Sequence, residues 1–182
     1  EALKKKLKAK AEPAPAADWA RGLSTGSTLL NLACSGRRTV GYVPGTFCLV
    51  VGDSASGKSW LALSAFAEAC RNEHYAGHNL IYDNVENGIL MDLRRYFGNA
   101  LAERIKPPAG TPDVPIYSNT VEEFYFNVDT AFEGKKPFFY ILDSMDALTT
   151  GDEEEKFQER KTAHKKGKIT TGSFGTSKAK LN

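Results

Sequence analysis

Residues 52–59 read Gly52-Asp53-Ser54-Ala55-Ser56-Gly57-Lys58-Ser59 and fit G-x-x-x-x-G-K-[ST], the phosphate-binding P-loop pattern. Gly52 and Gly57 permit backbone angles that other residues resist, so the loop can curl with its amides turned inward. The amides from Gly52 through Asp53, Ser54, Ala55, Ser56 and Gly57, with the positive end of a following helix, form a nest for phosphate oxygens. Lys58 adds a mobile cation for the β- and γ-phosphates, and the Ser59 hydroxyl can ligate Mg²⁺. The expected cofactors are therefore ATP and Mg²⁺.

The flanks give the motif its context. Thr46-Phe47-Cys48-Leu49-Val50-Val51 is an apolar run of strand length, and Trp60 to Cys70 is rich in helix formers. Strand, glycine loop and helix is the order a phosphate site needs.

A chain of 182 residues is long enough for one α/β domain. A formal charge of +2 does not by itself announce nucleic acid, although basic residues cluster at both ends. No apolar run is long enough to span a membrane and no secretory signal is visible, so a cytoplasmic setting is expected. Cys34, Cys48 and Cys70 are widely spaced and odd in number. They read as buried free thiols.

Taken in order, Glu1 to Ala17 reads as a basic arm and a Pro/Ala linker, with Lys4, Lys5, Lys6, Lys8 and Lys10 before Pro13 and Pro15. The folded core is expected over residues 18–148. Thr28 to Ala33 is a short helical stretch that Ser24, Thr25 or Ser27 could cap. His74 and His78 stand at a metal-binding spacing, but Gly77 interrupts them, and a polar loop is the default. Asn79 to Asp83 is a second strand that brings Asp83 and Glu86 to its C-terminal end, where ligands bind in open α/β sheets. Ile89 to Phe97 reads as a helix stopped by Gly98. Arg104 to Pro115 is loop-like by composition, and Val114 to Ser118 a weak third strand.

Thr120 and Glu123 form a capping box that opens a helix over Val121 to Phe132, with Gly134 behind it. Pro137 to Leu142 is an apolar strand ending in Asp143-Ser144. An acid delivered there can orient a Mg²⁺ water shell beside a P-loop. Beyond Leu148 the chain turns polar, acidic first and then basic. Residues 149–182 read as a mobile loop that could order on a phosphate backbone.

Four blocks resemble the RecA-type recombinase family, most of all its phage-encoded, UvsX-like members. They are Leu23-Ser24-Thr25-Gly26-Ser27, the P-loop, Tyr140-Ile141-Leu142-Asp143-Ser144, and more loosely Ile81-Tyr82-Asp83-Asn84-Val85-Glu86. The resemblance spans about residues 18–148. It implies a RecA-type P-loop core, α/β with a mostly parallel sheet flanked by helices. It gives Lys58 the β- and γ-phosphates, Ser59 and Asp143 the Mg²⁺, and Glu86 the attacking water, with Asp83 as its rival. The polar stretch after Leu148 occupies the place of the family's first DNA-binding loop.

Two departures stand out. Leu93 occupies the place where the family often stacks adenine on tyrosine, with Tyr96 the nearest aromatic. The family also continues into further strands, so more sequence is expected beyond Asn182. The implied activity is DNA-dependent ATP hydrolysis by a homo-oligomeric helical filament on single-stranded DNA. A DnaB-type ring helicase and a slowly hydrolysing ATP-binding mediator are the alternatives.

Overall fold

A computed structural model describes residues 18–86, 91–153, 155, 159, 161 and 162. The basic arm and most of the polar stretch after Leu148 lie outside them. The chain divides into two compact units, residues 1–68 and 69–182.

The first unit is built on local polar chemistry. Asp18 caps a single 3₁₀ turn, Trp19–Arg21, and its carboxylate accepts from Arg21 Nε at 2.6 Å. Leu23 then bridges Tyr42 in antiparallel fashion through two backbone hydrogen bonds of 2.8 and 2.9 Å. Helix α1 (Thr28–Ser35) starts at Ser27, whose side chain accepts from the Leu30 amide, and stops at Gly36 in the left-handed region. Helix α2 (Lys58–Arg71) follows the P-loop, as its helix formers predict. Leu63, Phe66 and Ala67, at i, i+3 and i+4, are buried along one stripe of it.

The strand expected over residues 46–51 does not form. Phe47, Leu49 and Val51 are 90%, 82% and 82% exposed, and no ladder includes them among the described residues. An apolar run supplies side chains suited to a sheet, but a strand exists only when a second backbone completes its hydrogen bonds. The same exposure corrects the thiols: Cys34 and Cys48 are exposed and Cys70 is half-buried.

The second unit is α/β, with a three-stranded parallel sheet flanked by helices. The central strand β1 (Asn79–Asp83) lies between β2 (Ile105–Lys106) and β5 (Phe138–Leu142). β1 and β5 pair over their full length, from Asn79↔Phe138 to Asp83↔Leu142. Side chains alternate between the faces, so Ile81, Asp83, Tyr140 and Leu142 share one face, and Tyr82 and Ile141 the other. Helix α5 (Val121–Glu133) covers the first face. Its Val121 and Phe124 pack with Leu148, Val85, Tyr140 and Leu142. The expected capping box is present in full.

Several boundaries differ from expectation. The helix expected from Ile89 starts later, as α3 (Leu93–Phe97), because the Asp92 side chain caps the Arg95 amide; Ile89 and Leu90 lie outside the described residues. The loop expected over 104–115 contains β2 and the short β3 (Ala109–Gly110), preceded by α4 (Asn99–Arg104). The weak strand expected over Val114–Ser118 is β4 (Pro115–Ile116), paired with β3 in an antiparallel ribbon. A proline that donates no ladder hydrogen bond suits that marginal position. The ordered fold also runs past Leu148. Thr149 bridges Thr120, Thr150 is buried, and residues 151–153 are helical. Among the described residues no helix is long and apolar enough to cross a membrane.

Candidate functional site

The P-loop residues belong to the first unit, and Glu86 and Asp143 to the second. In the first, residues 52–57 are exposed and lead into α2, of which Lys58 is the opening residue. Gly57 has φ +90°, a conformation that side chains resist. Ala55 reaches φ +60° without being glycine, so the turn carries a strained residue at its tip. The Lys58 ammonium folds back and donates to the carbonyls of Gly52 and Asp53, both at 2.8 Å. It is therefore held over the loop it would share with a phosphate. Gly52 has a packing reason as well: a Cβ there would meet the Ser56 hydroxyl at 2.8 Å. Asp53 accepts the Ser56 amide through its carbonyl, which closes the turn over Ser54 and Ala55. Ser59, the next helical residue, is half-buried.

Leu23 to Ser27 has a structural explanation of its own. Thr25 and Asn31 are almost fully buried. Asn31 Oδ1 accepts from the Thr25 amide and the Thr25 hydroxyl, each at 2.9 Å. Asn31 Nδ2 donates to Ser24 Oγ and to the Arg38 carbonyl, each at 3.0 Å. Each polar group of the Asn31 amide thus has a partner, as burial requires. Gly26 has φ +86°, and a Cβ on it would lie 2.9 Å from that of Ser64 on α2. The block ties α1 to the α2 segment of its own unit.

In the second unit, two acids end adjacent strands in different surroundings. Asp83 is fully buried and accepts from the Ser118 amide at 2.9 Å, the Ser118 hydroxyl at 2.6 Å and the Tyr140 hydroxyl at 2.7 Å. Asn127 Nδ2 donates to that same Ser118 hydroxyl at 2.9 Å. Asp143 is half-buried and accepts from the Tyr82 hydroxyl at 2.5 Å. Burial first, and the bond to Asp143 second, push the Tyr82 hydroxyl well above its ordinary pKa. Tyr140 is pushed the same way by burial and then by Asp83.

Glu86 lies just beyond β1, exposed, with its amide donating to the Asp143 carbonyl at 3.2 Å. Its carboxylate accepts from the Ser144 hydroxyl at 2.5 Å. The peptide bond between Asp143 and Ser144 is cis. The strand ends thus bring Glu86, Asp143 and Ser144 together, whereas Asp83 is enclosed by donors on the other face. A general base must reach a water molecule, which exposure allows Glu86 and enclosure denies Asp83. Tyr82, Ser118 and Ser144 were given no role from the sequence, because their contacts join segments 35 to 61 residues apart.

Leu93 is the first residue of α3, and Tyr96 is half-exposed with the Arg95 guanidinium 5.6 Å from its ring centre. His78 stacks on Phe139 at 5.3 Å, and burial lowers its pKa. Among the described residues no three His, Cys, Asp or Glu side chains could hold a metal ion. Mg²⁺ at a P-loop needs no such cage, because phosphates and water supply most of its ligands. A serine hydroxyl beside the loop, such as that of Ser59, fits that demand. Comparisons with protein-family models, curated proteins and solved structures return no match.

Proposed function

We propose that the chain is a P-loop nucleoside triphosphatase of the RecA type that hydrolyses ATP and binds single-stranded DNA as a helical filament. The observation that carries the reading is Gly52–Ser59, a complete phosphate-loop sequence leading into a helix whose first residue is Lys58. A half-buried Asp143 and an exposed Glu86 at the ends of adjacent parallel strands support it. So does the fit of Leu23–Ser27 to the family's pattern.

In this reading the loop amides and Lys58 would hold the phosphates, and Mg²⁺, when bound, would neutralise charge on their oxygens. By the family resemblance, Ser59 would ligate that ion and Asp143 would support it. Glu86 orients the attacking water and receives its proton, with Ser144 fixing the Glu86 carboxylate. Catalysis is then mostly positioning and charge stabilisation.

The test is ATP hydrolysis by the full chain with and without single-stranded DNA, with electron microscopy of the same samples. DNA-stimulated hydrolysis with open helical filaments is expected. Closed rings would point to a translocating helicase, and assembly without hydrolysis to an ATP-binding mediator. Lys58→Ala should cost on the order of 10- to 100-fold in nucleotide affinity, the value of a charge-assisted contact, without changing the melting temperature. Undiminished ATP-dependent filament formation by that variant would overturn the P-loop reading.

A further inference from the structure

The bend that joins α2 to β1 is packed around one imidazole. It contains a 3₁₀ turn, Glu73–Tyr75, capped by the Asn72 side chain. His78 follows, with its ring stacked on Phe139 of β5 at 5.3 Å and met edge-on by the buried Tyr75 ring at 5.1 Å. Its Nδ1 is shut off from solvent and has no hydrogen-bond partner among the described residues. A neutral imidazole tolerates this with its proton on Nε2, which leaves Nδ1 a bare lone pair. A protonated ring does not, because Nδ1 then carries a buried donor with nothing to receive it.

The groups around the ring oppose a charge on it as well. Arg104, the last residue of α4, donates to the His78 carbonyl at 3.2 Å, and the His74 ring in the turn lies 6.2 Å away between centres. The Cys70 thiol at the end of α2 lies beside Arg104, and Tyr75 adds a phenol. β5 contributes Phe139, whose face would welcome a cation. Burial first, then His74 and Arg104, outweigh that contact and hold the ring below its ordinary pKa of 6.5. The bend also borders the sheet: the Asn79 amide, one residue on, donates to the Pro137 carbonyl at 2.9 Å.

We propose that His78 is an acid-sensitive catch for the bend between α2 and β1: with the ring neutral the bend is closed on Phe139 and Tyr75, and with the ring protonated it opens and releases His78 to solvent. The open bend accepts a proton that the closed bend excludes. The closed form is therefore at full stability above pH 6.5, the ordinary value of an exposed ring, and loses stability as pH falls below it.

The experiment is NMR on the full chain from about pH 8 down to about pH 5, the range in which histidine changes charge. It reads two signals, the titration of the His78 ring and the exchange of the Tyr75, Ala76 and His78 amides, which donate to Asn72, Glu73 and Tyr75 inside the bend. The ring should titrate below 6.5. Corrected for intrinsic exchange, opening of the bend should rise on the order of 5- to 10-fold at the acid end, the low side of what an unsatisfied buried donor costs. His78→Phe, which keeps a stacked ring and removes the titration, should flatten that response, whereas His74→Gln should keep most of it. A ring that titrates at or above 6.5, an opening that ignores pH, or a response that survives His78→Phe would overturn the proposal. Complete loss of the response in His74→Gln would move the switch to His74 and overturn it too. Should His78→Phe fail to fold, wild-type protein decides alone: a ring below 6.5 together with amides that open in acid supports the catch, and the absence of either sinks it.

Discussion

Asp83 and Asp143 end neighbouring parallel strands, and each accepts a hydrogen bond from a tyrosine on the other's strand or just beside it. Asp83 faces α5, is fully buried, and has three donors from Ser118 and Tyr140. Asp143 faces away from α5, is half-buried, and has one donor from Tyr82. The number of donors separates a carboxylate that holds a structure together from one that can still bind something. Lone pairs already occupied inside a low-dielectric core cannot be offered to a ligand without leaving their donors unpaired.

The contrast can be broken most easily at Asp83. Asp83→Ala should destabilise the chain by about 3–5 kcal/mol, since it strands the Ser118 and Tyr140 donors, whereas Asp143→Ala, which strands only the Tyr82 hydroxyl, should cost about 1–3 kcal/mol. Urea unfolding of the two variants checks this, and equal losses would abolish the distinction. A second test moves from stability to rate. Glu86→Gln should slow ATP hydrolysis by on the order of 10²–10⁴-fold in a single-turnover assay while nucleotide binding persists. If Asp83→Asn, in a form that still folds, stalls hydrolysis and Glu86→Gln does not, the base has been assigned to the wrong carboxylate.

Ser144→Ala sharpens the picture on a smaller scale. Losing one exposed hydrogen bond to Glu86 should slow hydrolysis about tenfold or less and leave the melting temperature alone. The smallest effect concerns alkaline pH. The folded-state pKa of Tyr140 lies above its ordinary 10.0, through burial first and the Asp83 bond second. The stability this represents is fully present below pH 10.0 and is lost as pH rises above it, because the unfolded chain then releases the proton first. Melting temperatures across that range should fall less steeply in Tyr140→Phe than in wild type.

Much of the fold was legible where the signal is local. β1 and β5 are apolar runs bounded by turn formers, and α5 announces itself through Thr120 and Glu123. The start of α1 at Ser27 was among three candidates that the residues left open. What was not legible depends on partners distant in the chain. The run Phe47–Val51 has the composition of a strand but no ladder among the described residues, and Ile105–Lys106 forms one despite its loop-like surroundings. The positions of Glu86 and Asp143 were readable from strand ends. The enclosure of Asp83 was not, since Ser118 lies 35 residues away and Tyr140 lies 57 away. The thiols were misjudged for the same reason: an apolar neighbourhood in sequence does not guarantee a cover in space.

The side chain of Arg104 has a consequence for how this unit assembles. Its guanidinium donates to the carbonyls of Tyr75 at 2.7 Å and His78 at 3.2 Å, and more weakly to Ala69 and Ala76. Ala69 lies in the last turn of α2, and Tyr75, Ala76 and His78 lie in the bend that leads from it into β1. A short turn usually satisfies its own backbone within a few residues. Here a side chain from 26 or more residues further along takes over part of that task. Loop closure over that span has an entropic cost that must be met before the contact can form. In kinetic terms these contacts can close only once the end of α4 has reached the bend before β1.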